Sequence, residues 1–309
     1  MDLSKKIRDF IGKKTSFLNE YNWVKILRGF PVINIDIKDA NDIIATQLLK
    51  DEPCLIARIG GNELDITVIS MRRENDKAKK YPEVLSYNMR EVAGFFPISD
   101  ENFDKFGQLH LSIFSEIDIL ASWRKNEKNV KNIFKYKHQI DIRHLEPFRA
   151  KQPWTYALKG RKVLIINPFE KTIRSQYTQK NTIFSPPILP DFDLITYKPV
   201  VSHGGNSSNM NYNTWFDALD SMKIDIGKLD FDVALIGAGA YGLPLGNFIK
   251  QMGKKAVVLG GVTQFIFGIK GGRWDSNPIY NKHYNEYWVR PSKDERPPNP
   301  NLVEGNAYF

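Results

Sequence analysis

Residues 232–274, DVALIGAGAYGLPLGNFIKQMGKKAVVLGGVTQFIFGIKGGRW, restrict the folds open to this chain more than any other stretch. Val233–Ile236 is a short apolar, β-branched run of the kind buried on both faces of a parallel sheet. It enters Gly237-Ala238-Gly239-Ala240-Tyr241-Gly242, a G-x-G-x-x-G turn. Helical spacing follows at Leu245, Phe248, Ile249 and Met252, with Pro244 in the first turn and Gly253 where a C-cap glycine belongs. The next strand is expected at 256–259. This is one βαβ unit, and its turn offers backbone N–H groups at a helix N-terminus, a place that favours phosphate. Two readings stand: Gly237, Gly239 and Tyr241 contact a phosphorylated ligand, or the glycines simply let the helix pack closely on the sheet. A dinucleotide site would also place a carboxylate about twenty residues on, to hold a ribose. Val258-Leu259-Gly260-Gly261 stands there, so phosphate fits the turn better than NAD.

A chain of 309 residues with 42% hydrophobic content can bury a full core. The expected organisation is an N-terminal helical extension (1–50), a Rossmann-like α/β domain with a mostly parallel sheet flanked by helices (51–290), and an extended C-terminal tail (291–309). Cys54 is the single cysteine and sits in an apolar run, which reads as a core thiol. Without a disulfide framework, a signal-peptide pattern or an apolar run of spanning length, a cytoplasmic protein is expected. The net charge of +9 points to an anionic partner. The basic residues are scattered and no nucleic-acid-binding signature accompanies them, so nucleic acid is not the expected partner. Leu3, Ile7, Phe10 and Ile11 interleave with lysines and arginine in a basic amphipathic helix. It either packs on the domain or makes a peripheral contact with an anionic membrane face.

Along the rest of the chain, polar clusters follow strand-like runs. Residues 54–58 lead into Ile59-Gly60-Gly61-Asn62-Glu63, a glycine turn opening a helix, where Arg58 can meet a phosphate and Glu63 can be a base or metal ligand. Ser122-Trp123-Arg124 closes another strand, and its Trp could stack on a base or sugar or pack internally. Residues 125–143 read as basic and helical, with a strand possible near Ile140. The strand at 161–166 opens into NPFEKTIRSQY, with Lys171 and Arg174 as phosphate contacts and Glu170 as an acid or base, or all three as solvated helix charges. The loop 201–213, containing His203, is long and polar enough to cover a site. The D-x-D triplets at 191–193 and 230–232 precede strands, the wrong ends for ligand chemistry. Gly268-Ile269-Lys270-Gly271-Gly272-Arg273-Trp274 is a second glycine-rich basic turn suited to an anion beside a ring.

Four stretches in order, RIGGNEL (58–64), NPFEKTIRSQY (167–177), IGAGAYGLPL (236–245) and LGGVTQFIFGIKGGRW (259–274), resemble the GT-D type glycosyltransferases, in a branch associated with bacterial surface polysaccharide synthesis. The resemblance covers roughly 50–275. It implies a Rossmann-like fold and transfer of a sugar from a nucleotide-diphosphate sugar to a glycan acceptor, beside other polysaccharide-synthesis enzymes. It also implies a divalent cation, Mn²⁺ or Mg²⁺, at an acidic D-x-E motif. Arg58, Gly60 and Glu63 carry over from the family's first motif, R-[FI]-G-D-G-E, with Gly61 at its Asp position and Asn62 at its second Gly. Glu170 and Lys171 carry over from an E-K pair, and Gly237 from the glycine turn. Gln264, Lys270, Arg273 and Trp274 match the branch. The expected activity is sugar transfer, with Glu63 as cation ligand or base, Glu170 as the alternative base, and Gly60, Gly61 and Asn62 at the donor. The alternatives are a nucleotide- or glycan-binding scaffold that has lost catalysis, and an NAD(P)-type enzyme.

Overall fold

A computed structural model describes residues 29–206 and 210–309. The amphipathic helix expected at the extreme N-terminus lies outside the described residues. The central element is a seven-stranded, all-parallel sheet, β1 (Cys54–Ala57), β2 (Ile119–Ser122), β3 (His138–Asp141), β4 (Lys162–Ile166), β5 (Asp193–Tyr197), β6 (Val233–Ile236) and β7 (Lys255–Val258). Their spatial order is 3-2-1-7-6-4-5. Every residue of β1, β6 and β7 is buried, whereas the edge strands β3 and β5 are partly exposed. Apolar, β-branched runs therefore occupy the centre, as a sheet covered on both faces requires. The expected α/β architecture is what the chain adopts.

Right-handed crossovers decide which face each connection covers. The steps β1→β2, β2→β3, β5→β6 and β6→β7 run one way across the sheet, and β3→β4 and β4→β5 run the other. One face accordingly carries α2 (Gly61–Arg73), α3 (Glu83–Glu91), α4 (Asp100–Phe114), α6 (Trp215–Gly227) and α7 (Gly242–Gln251), packed through Phe95, Phe106, Trp215 and Leu245. The other face carries α1 (Ile37–Leu49), the turns at 142–158, α5 (Glu170–Thr178) and the segment after β7, packed through Ile44, Trp154, Ile173, Phe265 and Trp288.

Two expectations give way. Residues 125–143 form a short 3₁₀ turn (Lys125–Asn129) rather than a helix, and the strand considered near Ile140 is β3. Val130, Ile133 and Phe134 pack on the core from the irregular stretch between the two. The tail at 291–309 is not an extended surface segment. It folds back over the carboxyl end of the sheet and buries Val303, Ala307 and Phe309, each below 5% exposure, because these residues cover apolar surface around Phe169 that the α/β layers leave open. Cys54 is buried in the sheet, and burial pushes its thiol up to about 12, so it is an inert core group.

Candidate functional site

Chain leaving β1 and β6 turns to one face, and chain leaving β4 and β7 turns to the other, so a crevice opens over their carboxyl ends. A cleft of about 440 Å³ occupies that crevice. It collects residues from the ends of β1 (Arg58, Gly60, Gly61, Asn62, Glu63), β2 (Trp123, Arg124), β4 (Asn167), β6 (Gly237, Gly239) and β7 (Gly260, Gly261, Gln264), closed by Arg273 and by Glu304 and Tyr308 of the C-terminal segment. The two D-x-D triplets lie at the opposite edge. Asp232 there accepts from the Lys162 backbone N–H at 2.8 Å, and Asp191 pairs with Lys180 at 2.7 Å.

The glycines at these strand ends make room for side chains and for neighbouring turns. A Cβ on Gly237 would lie 2.6 Å from the Gly260 carbonyl and 2.8 Å from both Asn167 Nδ2 and Thr263 Oγ1. Gly260 has φ +63°, and a Cβ there would meet Arg58 Nη1 at 2.7 Å. The position that a dinucleotide site gives to a ribose carboxylate is thus crossed by a guanidinium. A Cβ on Gly61 would meet the Arg124 guanidinium at 2.8 Å. Asn167 ties two of the turns together, its Oδ1 accepting from the Phe169 N–H at 3.0 Å while its Nδ2 donates to the Gly237 carbonyl at 3.4 Å.

Trp123 organises the cationic side. Its indole N–H donates to the Ile59 carbonyl at 2.8 Å, and the guanidinium carbons of Arg58 and Arg124 each lie 4.9 Å from its ring. Arg124 also pairs with Asp65 at 3.6 Å, and Glu127 accepts both the Trp123 and Arg124 backbone N–H groups at 2.9 Å. Arg273 stacks over Tyr308 at 4.3 Å and pairs with Glu304. Three guanidiniums therefore face two carboxylates, Glu63 and Glu304. Burial raises the Glu63 carboxyl above the usual range, opposed by the hydrogen bond from its own backbone N–H and by the charge of Arg58. Burial lowers Arg58, opposed by Glu63.

A divalent cation does not suit this donor set. Among the described residues no group of three His, Cys, Asp or Glu could hold a metal, and Glu63 is flanked by the positive charges of Arg58 and Arg124.

Several other expected site residues lie elsewhere or are engaged by the protein itself. Tyr241 is in the core, stacked on Trp215 at 4.7 Å. The turn before it packs on the loop at 93, with the Ala240 N–H donating to the Ala93 carbonyl at 3.3 Å. Of the same fingerprint, Gly237 and Gly239 line the cleft while Gly242 packs on the sheet, a Cβ there lying 3.3 Å from Val258. Trp274 is buried against Phe265 at 5.0 Å, and Lys270 lies 5.1 Å from the Tyr284 ring, both outside the cleft. Gln264 reaches the cleft, but its Nε2 donates to the carbonyls of Ile269, Lys270 and Tyr308. Glu170 accepts from Thr196 Oγ1 at 3.3 Å, Lys171 pairs with Asp294, and Arg174 is exposed. The helix N-terminus behind them already holds an anion. Glu295 accepts from the Lys171 N–H at 2.7 Å and the Thr172 N–H at 3.2 Å, in the place a phosphate would take.

Arg124, Asn167, Glu304 and Tyr308 were not among the expected site residues. Arg124 and Asn167 share one legible signal, a polar residue at the carboxyl end of a strand. Glu304 and Tyr308 have none, because a long-range fold-back brings them in. No family model, curated protein or solved structure matches this chain.

Proposed function

We propose that the protein is a glycosyltransferase-like enzyme that takes a nucleotide-diphosphate sugar in the cleft over β1, β2 and β7 and transfers the sugar to a glycan acceptor. The observation that carries this reading is the convergence of Arg58, Arg124 and Arg273 on a crevice that also holds Glu63. Guanidiniums on a low-dielectric floor suit a diphosphate, whose charge grows as the bond from the anomeric carbon to the leaving oxygen breaks. Glu63, with its raised pKa, is the base that would accept the proton of the attacking acceptor hydroxyl. In the resembled motif a carboxylate stands at the position of Gly61; here the Arg124 guanidinium lies over that position. Guanidinium charge thus takes the part that a cation has beside the acidic pair. The same substitution favours a second reading, a domain that binds the donor without turnover.

Thermal unfolding with UDP-, GDP-, dTDP- and CMP-sugars and with NAD(H) tests the proposal, since a ligand of the folded state raises Tm by mass action. Diphosphate-linked sugars should raise Tm, the monophosphate-linked CMP-sugar much less, and Arg58→Ala should weaken binding about tenfold or more. Glu63→Gln should abolish transfer while leaving donor binding intact. A response to NAD(H) alone, or full transfer by Glu63→Gln, would overturn the assignment. Donor binding without transfer to any glycan would establish the second reading.

A further inference from the structure

Arg124 lines a second cleft as well as the first, so the two adjoin. The second holds about 300 Å³, within the range of small-ligand sites. Its charge comes from the turn after β2. Of residues 124–137, RKNEKNVKNIFKYK, six are basic and one is acidic. A 3₁₀ helix returns to the same face every three residues, so Lys125 and Lys128 stand one above the other, and Lys131 continues the row along the cleft. Glu127, the one carboxylate of the stretch, is 6% exposed and turned inward, where it accepts the Trp123 and Arg124 N–H groups at 2.9 Å. It pins the turn and leaves the lysines unneutralised. All three are exposed and pair with no carboxylate among the described residues, whereas Lys137, outside the cleft, pairs with Glu52 and Asp118. Three ammoniums in a row repel one another, and an anion brought between them relieves that repulsion. The rest of the lining is largely apolar, with Val32, Ile33, Phe134 and Tyr136 half-buried. Phe134 is stacked on Phe114 at 5.0 Å, and the Tyr136 hydroxyl donates to Gln139 Oε1 at 3.1 Å, so both rings are held in place.

We propose that this second cleft is the acceptor subsite and that it selects an anionic glycan, whose uronate carboxylates lie on Lys125, Lys128 and Lys131. The inference rests on the nucleotide-sugar reading of the first cleft, because the shared Arg124 makes the second its continuation. A pyranose ring brings apolar C–H faces to Phe134 and Tyr136 and carries its acid group at the rim, where the lysines stand. Lys125 and Lys128 are about 6 Å apart along the 3₁₀ axis, on the scale of one sugar residue, so acid groups repeating along a glycan can meet successive lysines. A neutral glycan would use the rings and leave the ammoniums repelling. A nucleic-acid strand would need a groove that follows several nucleotides, which a cleft of about 300 Å³ does not provide. The lysine row thereby sets which acceptors reach Glu63.

Titration calorimetry of the full chain with a galacturonate trisaccharide, its carboxyl-reduced counterpart, a thymidylate oligonucleotide and pyrophosphate tests the proposal. The proteins are the wild type and the triple variant Lys125→Ala/Lys128→Ala/Lys131→Ala, which should keep its Tm because all three side chains are exposed. The uronate should bind the wild type about tenfold or more tighter than the reduced sugar, and lose about tenfold or more in the triple variant. Pyrophosphate should bind both proteins within about twofold at about 0.15 M salt, where distant charges are screened. A second readout needs no variant: carbodiimide coupling of the bound uronate should link it to Lys125, Lys128 or Lys131 in peptide mapping. Uronate affinity untouched by the triple variant, links formed elsewhere, or equal binding of the reduced sugar would overturn the acceptor subsite, while pyrophosphate binding keeps the donor reading. An oligonucleotide that binds more tightly than the uronate and is lost in the triple variant would overturn it in favour of a nucleic-acid surface. If pyrophosphate does not bind the wild type, the donor reading falls and the acceptor role falls with it.

Discussion

His110 carries the clearest consequence at the scale of single residues. Burial lowers its pKa from 6.5 to about 3, and that of His203, another cleft residue, to about 4. Below pH 6.5 the unfolded chain takes up protons that the folded one refuses. Stability is therefore highest above 6.5 and falls as pH drops through that value toward the folded pKa. Between pH 7 and 5 the His110 contribution amounts to about 2 kcal/mol. Urea unfolding at the two pH values should show the wild type losing more stability than His110→Phe by about that amount. Equal losses would mean that the imidazole reaches water or a proton acceptor when folded. The glycines teach a related lesson at this scale. Gly61 and Gly260 leave room for Arg124 and Arg58, so the charge of the cleft depends on residues that carry none.

Among the elements, α5 shows how a site suggested by local pattern can be filled from within. The turn after β4 presents a helix N-terminus with Glu170, Lys171 and Arg174 around it, an arrangement suited to phosphate. Glu295, 3% exposed, instead accepts the Lys171 and Thr172 N–H groups and the Thr172 hydroxyl. Glu295→Ala leaves three donors without their acceptor and should cost about 2–3 kcal/mol in denaturant unfolding. Glu295→Gln keeps one acceptor oxygen and should cost less. A loss below 0.5 kcal/mol in the alanine variant, about what an ordinary surface change costs, would show that water replaces the carboxylate freely. Helix α7 shows the converse division. Its glycines serve packing at Gly242 and Gly246, where a Cβ on the latter would lie 2.9 Å from Leu55 and Val258, while Gly237 and Gly239 face the cleft.

For the whole molecule, the C-terminal segment couples the second face of the sheet to the cleft. It supplies Glu295 to α5 and Glu304 and Tyr308 to Arg273. Glu304 is an internal anion on one of the three guanidiniums, so under the proposed function a phosphate would compete with it there. Glu304→Gln should raise pyrophosphate affinity about three- to tenfold at low salt. It should change folding stability by less than about 1 kcal/mol, because the pair is partly exposed. Unchanged affinity in calorimetry would place Arg273 outside the anion site. No helix of the described residues is long and apolar enough to cross a membrane.

Taken by itself, the sequence determined the layer architecture and where polar residues leave the strands. Apolar β-branched runs of four or five residues, such as those that lead into Asn167 and Gly237, read as strands buried on both faces of a parallel sheet, and local pattern reports that directly. Arg58 and Glu63 were legible for the same reason, since one follows the last residue of β1 and the other stands in the first turn of the helix that β1 leads into. Tertiary structure alone decided which of the candidates meet. Tyr241 and Trp274 went to the core because an aromatic ring gains more from packing on Trp215 or Phe265 than from facing a polar cleft. Strand order brought Arg124, 66 residues after Arg58, to the same indole. The fold-back of residues 291–309 turned an apparent tail into the wall of the site, through contacts too distant in the chain for any periodicity to announce.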